Sequence, residues 1–264
     1  SISYGYDSDS VRTTKTVNGV KYTYAYLNGQ LMYETRGDAK FYYSYDTNGI
    51  LYNVRYTLTD GGTEYSYYYT HNSRGDIVGI YNGAGELKAH YEYDAWGNVI
   101  SITDNNGNAI TNPNHVGNLN PFRYRGYYQD TETGLYYLMS RYYDPITHRF
   151  INADGYFQSG GSILDANTFA YCGNNPVLNV DPLGTCKVPN YTSAGTYIGH
   201  TWKIKESVPG VPGFCNVCKG YGSNAPSNTS HSFIISSYTT SSTKNKTTTL
   251  GIRWQMLLEL YFVV

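Results

Sequence analysis

A short repeat built on a tyrosine–aspartate pair most constrains how this chain can fold. The unit aromatic–x–Tyr–Asp–x–x–Gly–x–aliphatic appears as YSYDTNGIL (43–51) and YEYDAWGNVI (91–100), with looser copies at YYYTHNSRGDIV (67–78) and YAYLNGQL (24–31). The glycines of the four copies follow one another at intervals of 20, 26 and 22 residues, about the length of one β-hairpin. A single hairpin cannot bury its apolar side, whereas stacked copies can, so the repeat predicts an extended array of hairpins.

The segments between the turns alternate tyrosine with small or polar residues, as in KYTYAYL (21–27) and TEYSYYYT (63–70). This period of two is typical of strands with two different faces. Asn-Gly pairs at 18–19, 28–29 and 48–49 favour the positive φ angles of tight hairpin turns. With 32 tyrosines and 28 glycines, the chain is predicted to be all-β, an antiparallel meander of hairpins. A tyrosine-rich β-sandwich is the alternative.

The net charge of -1 hides two segments of opposite sign. Residues 1–184 carry 12 Lys and Arg against 18 Asp and Glu, whereas residues 185–264 carry 7 against 2. A basic C-terminal segment is compatible with a nucleic-acid partner. No apolar run reaches the roughly 18 residues of a membrane span, so no segment is expected to cross a membrane.

The Tyr-Asp units resemble the YD repeats of bacterial Rhs and wall-associated proteins and of the C components of toxin complexes. PFRYRGYYQDTETGLYYLMSRYYDPITHRFINAD (121–154) is similar to the Rhs repeat-associated core, and FAYCGNNPVLNVDPLG (169–184) is similar to the last strand and DPxG signature of that core. The resemblance implies a sheet that spirals into a hollow β shell, of which this chain holds the last turns, and a core that plugs its end. It divides the chain into YD repeats (1–120), core (121–184) and a small, separate C-terminal tip (185–264).

The same resemblance implies that the chain cuts itself just after the DPxG signature, using one arginine and two aspartates. The matching positions are Arg149, Asp154 and Asp181. Two carboxylates held close together share a proton, so one can activate water while the other protonates the carbonyl or the leaving amine. The expected scissile bond is either Gly184–Thr185 or Thr185–Cys186.

Two positions depart from the family pattern: Gly155 follows Asp154 in place of a proline, and Thr185 stands where an apolar residue is usual. The alternative interpretation of both aspartates is that they cap turns, as Asp-Gly and Asp-Pro pairs often do. The other charged residues of this stretch are interpreted as structural: Arg141, Asp144 and Asp165.

The tip carries one Cys-x-x-Cys pair, which is half of a zinc signature. The candidate zinc ligands are Cys215, Cys218 and His231, with Cys186 and His200 as further options. A disulfide between neighbouring cysteines, or free thiols, are the alternatives without a metal. A His200/His231 acid–base pair beside Lys203 or Lys205 would suit a metal-independent ribonuclease, and a cysteine nucleophile with His231 is a third possibility. No other cofactor is expected.

Three functions remain open from the sequence. The first is a toxin-delivery protein, secreted or at the cell surface, whose shell encapsulates a C-terminal effector that self-cleavage detaches. Its expected partners are its own upstream YD-repeat shell and an immunity protein, and an export signal is expected upstream of SISYGYDSDS. The second is a non-catalytic, secreted or wall-associated binding module. The third is an inactive remnant of a larger gene.

Overall fold

The computed structural model describes residues 1–154 and 167–185, together with the backbone of Val188–Pro189. The all-β prediction is confirmed, because ten consecutive strands form one antiparallel sheet in sequence order. The strands are β1 (Ile2–Tyr6), β2 (Arg12–Val17), β3 (Val20–Leu27), β4 (Gln30–Arg36), β5 (Ala39–Tyr45), β6 (Leu51–Thr57), β7 (Tyr65–His71), β8 (Ile77–Asn82), β9 (Leu87–Tyr93) and β10 (Val99–Thr103). Strands β1 and β10 are the two edges, so this sheet is an open meander.

The aspartate of the repeated motif closes its turn with its own side chain. Between β5 and β6, Oδ1 of Asp46 accepts the backbone N–H groups of Asn48 and Ile50, each at 2.8 Å. The N–H of Gly49 donates to the Asp46 carbonyl at 3.0 Å. The same two side-chain bonds recur in five other loops, at Asp7, Asn72, Asn82, Asp94 and Asp104. The Tyr-Asp-x-x-Gly unit is therefore a strand end followed by a self-contained Asx turn.

A second group of shorter elements follows the large sheet. These are the α-helix α1 (Val116–Leu119), the 3₁₀ helices η1 (Tyr124–Gly126) and η2 (Tyr171–Asn174), and the strands β11 (Tyr128–Gln129), β12 (Tyr136–Leu138), β13 (Arg141–Asp144), β14 (Arg149–Phe150), β15 (Asn179–Val180) and β16 (Val188–Pro189). Strands β11 to β14 form a small antiparallel sheet in sequence order, and β15 pairs with β16. Among the residues that the structure describes, none form a helix with the length and hydropathy of a membrane span.

A buried ion cluster around Asp130, in the loop after β11, joins the small sheet to the large one. The Asp130 carboxylate accepts a hydrogen bond from the Arg12 guanidinium at 2.6 Å and one from the Lys15 ammonium at 2.9 Å, and both cations lie on β2. The side chains of Asp130 and Arg12 are fully buried, and that of Lys15 is 2% exposed. Tyrosine rings surround the Arg12 guanidinium at 4.3 to 5.9 Å: Tyr4, Tyr24, Tyr128, Tyr137 and Tyr142.

Two further buried carboxylates of the large sheet hold the second group in place. Glu34 of β4 accepts the hydroxyl of Tyr128 at 2.6 Å. Asp76, which precedes β8, accepts the backbone N–H of Arg125 at 2.9 Å. Both carboxylates are fully buried. Because a buried charge is stable only when it is paired or hydrogen-bonded, these contacts fix where the second group sits on the sheet.

Gly97 and Gly107 offer a matched test of that packing, because both lie in motif turns with left-handed backbones, at φ +93° and +81°. A Cβ on Gly97 would lie 2.5 Å from the buried ring of Tyr124, whereas a Cβ on Gly107 would meet nothing within 4 Å. We expect Gly107→Ala to lower the free energy of unfolding by about 1 kcal/mol through backbone strain. Gly97→Ala should lower it by about 2–4 kcal/mol, since the ring must also move. Urea unfolding measures both, and equal losses would contradict the packing of Tyr124 on this turn.

Candidate functional site

Asp154 and Asp181, the two aspartates that the sequence selects, meet at one guanidinium group. Asp154 lies four residues after the end of β14, and Asp181 directly follows β15. Their Oδ2 atoms lie 3.1 and 3.3 Å from the same nitrogen, Nη2 of Arg141. Arg141 is the first residue of β13. The structure therefore brings both carboxylates together around a cation of the small sheet.

The Arg141 side chain is buried and held on several sides. Its Nη1 donates to the carbonyl oxygen of Thr168 at 2.9 Å, and that oxygen also accepts the backbone N–H of Asp154 at 3.0 Å. Its Nε donates to the carbonyl oxygen of Gly184. The guanidinium carbon stands 3.6 Å from the centroid of the Phe150 ring. These contacts hold the guanidinium in one orientation.

Arg149, which the sequence predicts as the cation of the site, lies elsewhere. It is exposed, and its guanidinium stands over the ring of Phe169 at 5.4 Å. Within the ranges 1–154 and 167–185, it makes no ion pair with Asp154 or Asp181. The interpretation of Arg141 as structural therefore misses its contact with both aspartates.

The alternation of the strands carried a signal for this choice. In β13 the buried positions are Arg141 and Tyr143, so Arg141 shares the inward face with an aromatic residue of the core. In β14 the neighbour Phe150 is buried while Arg149 is exposed. A period-two reading of HRF would have placed Arg149 on the face opposite Phe150, and therefore outside.

The peptide bond between Gly184 and Thr185 is held at both ends by this cluster. The carbonyl oxygen of Gly184 accepts the Ser140 hydroxyl at 2.8 Å as well as Nε of Arg141. The N–H of Thr185 donates to Oδ1 of Asp181 at 3.0 Å. Hydrogen-bond donors thus face the oxygen on which charge would develop during hydrolysis, and a carboxyl group faces the nitrogen that would leave.

Glycine at position 184 is required by the backbone and by space. Gly184 has φ +68°, a left-handed value that side chains disfavour. It is buried, and an added Cβ would lie 2.9 Å from both the Leu138 carbonyl oxygen and Ser140 Oγ. The glycine of the DPxG signature therefore lets the chain turn tightly against β12 and presents its carbonyl to Ser140 and Arg141.

Asp181 is positioned through its backbone by a buried tyrosine. The Tyr127 hydroxyl donates to the Asp181 carbonyl at 3.1 Å and accepts the Asp181 N–H at 3.3 Å. A second tyrosine hydroxyl, that of Tyr171, lies 3.2 Å away. Burial raises the pKa of Tyr127 well above its ordinary value, so the hydroxyl keeps its proton and continues to donate.

The remaining candidates lie in the tip. Thr185 is described, whereas Cys186 and the candidate zinc and acid–base residues lie outside the described residues: Cys215, Cys218, His200, His231, Lys203 and Lys205. Across the ranges that the structure describes, no group of three or more His, Cys, Asp or Glu side chains could hold a metal ion.

Comparison with known proteins accounts for the repeat. A sequence model of the RHS Repeat family matches residues 71–109. The tRNA3(Ser)-specific nuclease WapA of Bacillus spizizenii is 41% identical over 185 residues, and the tRNA nuclease WapA of Bacillus subtilis is 41% identical over 190. The chain belongs to the Rhs, or YD-repeat, family. Each alignment covers 69% of this Rhs chain but only 7% of the WapA protein, so the chain spans a small part of the length of these relatives.

Solved structures show the same fold at lower identity. The crystal structure of TcdB2-TccC3-Cdc42 matches 70% of this Rhs chain over 9% of the matched chain, with a TM-score of 0.53 and 21% identity. The crystal structure of TcdB2-TccC3 without hypervariable C-terminal region matches 69% of this Rhs chain over 9% of the matched chain, with a TM-score of 0.52 and 21% identity. These matches show that the fold of this Rhs chain also occurs in these solved structures.

Proposed function

We propose that this Rhs chain cleaves its own backbone between Gly184 and Thr185. The observation that carries the proposal is the set of hydrogen bonds to that one bond. Ser140 and Arg141 donate to its carbonyl oxygen, and its N–H donates to Asp181. The neighbouring bond, Thr185–Cys186, is the other site that the sequence allows. The contacts of the described residues favour Gly184–Thr185, because both atoms of its amide already face groups that can polarise the bond or protonate its nitrogen.

The reaction is a hydrolysis in which the two aspartates have different tasks. Asp154 takes a proton from a water molecule, whose oxygen bonds to the Gly184 carbonyl carbon while the carbonyl electrons move onto its oxygen. The C–N bond then breaks, and a proton from Asp181 passes to the nitrogen of Thr185. The products are a carboxyl group on Gly184 and an amine on Thr185, and a proton passing from Asp154 to Asp181 restores the starting state. One guanidinium balances only one of the two carboxylates, which favours the single shared proton that this scheme needs.

Cleavage would serve the delivery of the C-terminal tip as a toxin. The division into YD repeats (1–120), core (121–184) and tip (185–264) puts the cut at the core–tip boundary. The WapA relatives, which are much longer, are named as tRNA nucleases. In this proposal the upstream part of a longer, secreted or cell-surface protein completes the shell around the tip, and an immunity protein protects the producing cell. The basic charge of the tip suits a nucleic-acid target.

The test is the intact mass of the purified chain and of its Asp181→Asn and Asp154→Asn variants. The unmodified chain is expected to yield two fragments, the second of which begins with Thr185 on N-terminal sequencing. Each asparagine variant should remain uncut, because an amide neither accepts the proton of water nor protonates the amine. Asp60→Asn, at an exposed position in the loop between β6 and β7, is the matched control and should cut normally. An unmodified chain of full mass would sink the proposal, and a fragment beginning with Cys186 would move the scissile bond.

A further inference from the structure

The Ser140 hydroxyl faces two consecutive carbonyl oxygens of the DPxG segment. Its Oγ lies 2.6 Å from the oxygen of Leu183 and 2.8 Å from that of Gly184. Met139, at φ +59°, forms the turn between β12 and β13 that brings the serine there. A hydroxyl has one proton to donate, so at any moment it donates a hydrogen bond to only one of the two oxygens.

We propose that Ser140 supplies the second hydrogen bond to the oxyanion that forms on Gly184 during cleavage, alongside Arg141. This inference rests on the proposed self-cleavage. Before reaction, the hydroxyl can donate to either oxygen, since both lie within hydrogen-bond distance. When charge develops on the Gly184 oxygen, that oxygen becomes the stronger acceptor, and rotation about the Ser140 side chain transfers the hydrogen bond to it.

The surroundings permit this transfer without disturbing the fold. The backbone N–H of Ser140 donates to the Leu138 oxygen at 2.7 Å and also to the Leu183 oxygen at 3.3 Å, so the Leu183 oxygen keeps a weaker, shared donor when the hydroxyl turns away. Ser140 is itself exposed, so its side chain makes little contribution to the core. A donor aimed at the place where charge develops stabilises the transition state more than the ground state, which is the condition for a gain in rate.

The experiment follows cleavage of the full chain after a short pulse of cell-free synthesis, for the parent, Ser140→Ala and Ser140→Thr. Ser140→Ala is expected to slow cleavage about a hundredfold, the usual effect of losing one oxyanion donor. Ser140→Thr keeps the hydroxyl and should cut at close to the parent rate. The pH dependence of Ser140→Ala should keep the shape of the parent profile at a lower level, since the aspartates that titrate are unchanged. The melting temperature of Ser140→Ala, measured with Asp181→Asn present to keep chains intact, should equal that of Asp181→Asn alone.

Each outcome decides between the possible roles. Equal rates for Ser140→Ala and the parent would overturn the inference while leaving self-cleavage in place. A lower melting temperature, with no rescue by threonine, would make the serine structural and overturn it as well. Complete loss in Ser140→Ala, together with a Gly184 hydroxamate when the parent reacts in hydroxylamine, would make Ser140 the attacking nucleophile instead of a donor. A parent that never cuts removes both proposals.

Discussion

Replacing Arg141 by glutamine is expected to abolish self-cleavage, whereas replacing Arg149 by glutamine should leave its rate unchanged. Arg141 is the group on which both aspartates and the Gly184 carbonyl converge. Glutamine removes the positive charge that both aspartate side chains contact, and it cannot donate in all these directions at once. The loss combines a donor to the oxyanion with the alignment of both aspartates, so we expect a fall of at least about a thousandfold.

The Arg149 variant is the matched control, because it makes the same chemical change eight positions along the chain, at an exposed side chain. A third variant, Arg141→Lys, separates the charge of the side chain from its geometry. It restores the charge without the planar fork, and we expect it to recover only a small part of the rate. The measurement is the fraction of cut chain against time after cell-free synthesis. Normal cleavage by Arg141→Gln, together with loss of cleavage in Arg149→Gln, would show that Arg149 is the arginine that cleavage requires.

Asp130→Asn is expected to give the largest loss of folding stability, about 3–5 kcal/mol in the free energy of unfolding. The substitution keeps the shape of the side chain and removes the charge that Arg12 and Lys15 share. Both cations are nearly free of solvent contact, and an unpaired buried charge is strongly destabilising. Glu132, 2.6 Å from the Lys15 ammonium, remains as a partner for that lysine, so most of the loss falls on Arg12.

Urea unfolding of the full chain measures this effect, with Asp181→Asn present in every variant so that no chain is cut. The control is Asp60→Asn, which breaks the ion pair with Lys40 on the surface. The Asp60 side chain is 83% exposed, so its variant should unfold at close to the parent midpoint. If Asp130→Asn also unfolds at the parent midpoint, the ion cluster does not hold the two sheets together.

The large sheet could be predicted from the sequence because residues close together in the chain specify its turns and strands. Each motif turn is closed by bonds that span at most four residues, as at Asp46 with Asn48 and Ile50. The tyrosine alternation marks the strands between the turns, and consecutive strands then pair with their neighbours along the chain. Nothing distant is needed for such a meander, so composition and period were sufficient to predict it.

The candidate site was predicted only in part. The two aspartates were selected through a family resemblance, and the fold brings them to one guanidinium. Arg149 was selected as the match to the arginine of the family pattern, but a strand turns successive side chains to opposite faces, and Phe150 occupies the inward one. Ser140 was missed altogether, because a serine next to an arginine carries no recognisable pattern.

The amino-acid sequence by itself determined the hairpin array and its turns, and its resemblance to Rhs proteins selected the two carboxylates. The tertiary structure decided that the Arg141 guanidinium joins both aspartates and that Asp181 accepts the N–H of Thr185. The physical reason is the separation along the chain between hydrogen-bonded residues. The turn aspartates bond to residues at most four positions away. Arg141 bonds to Thr168, Asp181 and Gly184, which lie 27, 40 and 43 positions away. Contacts over such separations depend on how the second group packs against the large sheet, and that packing is set by buried charges such as Asp130, Glu34 and Asp76.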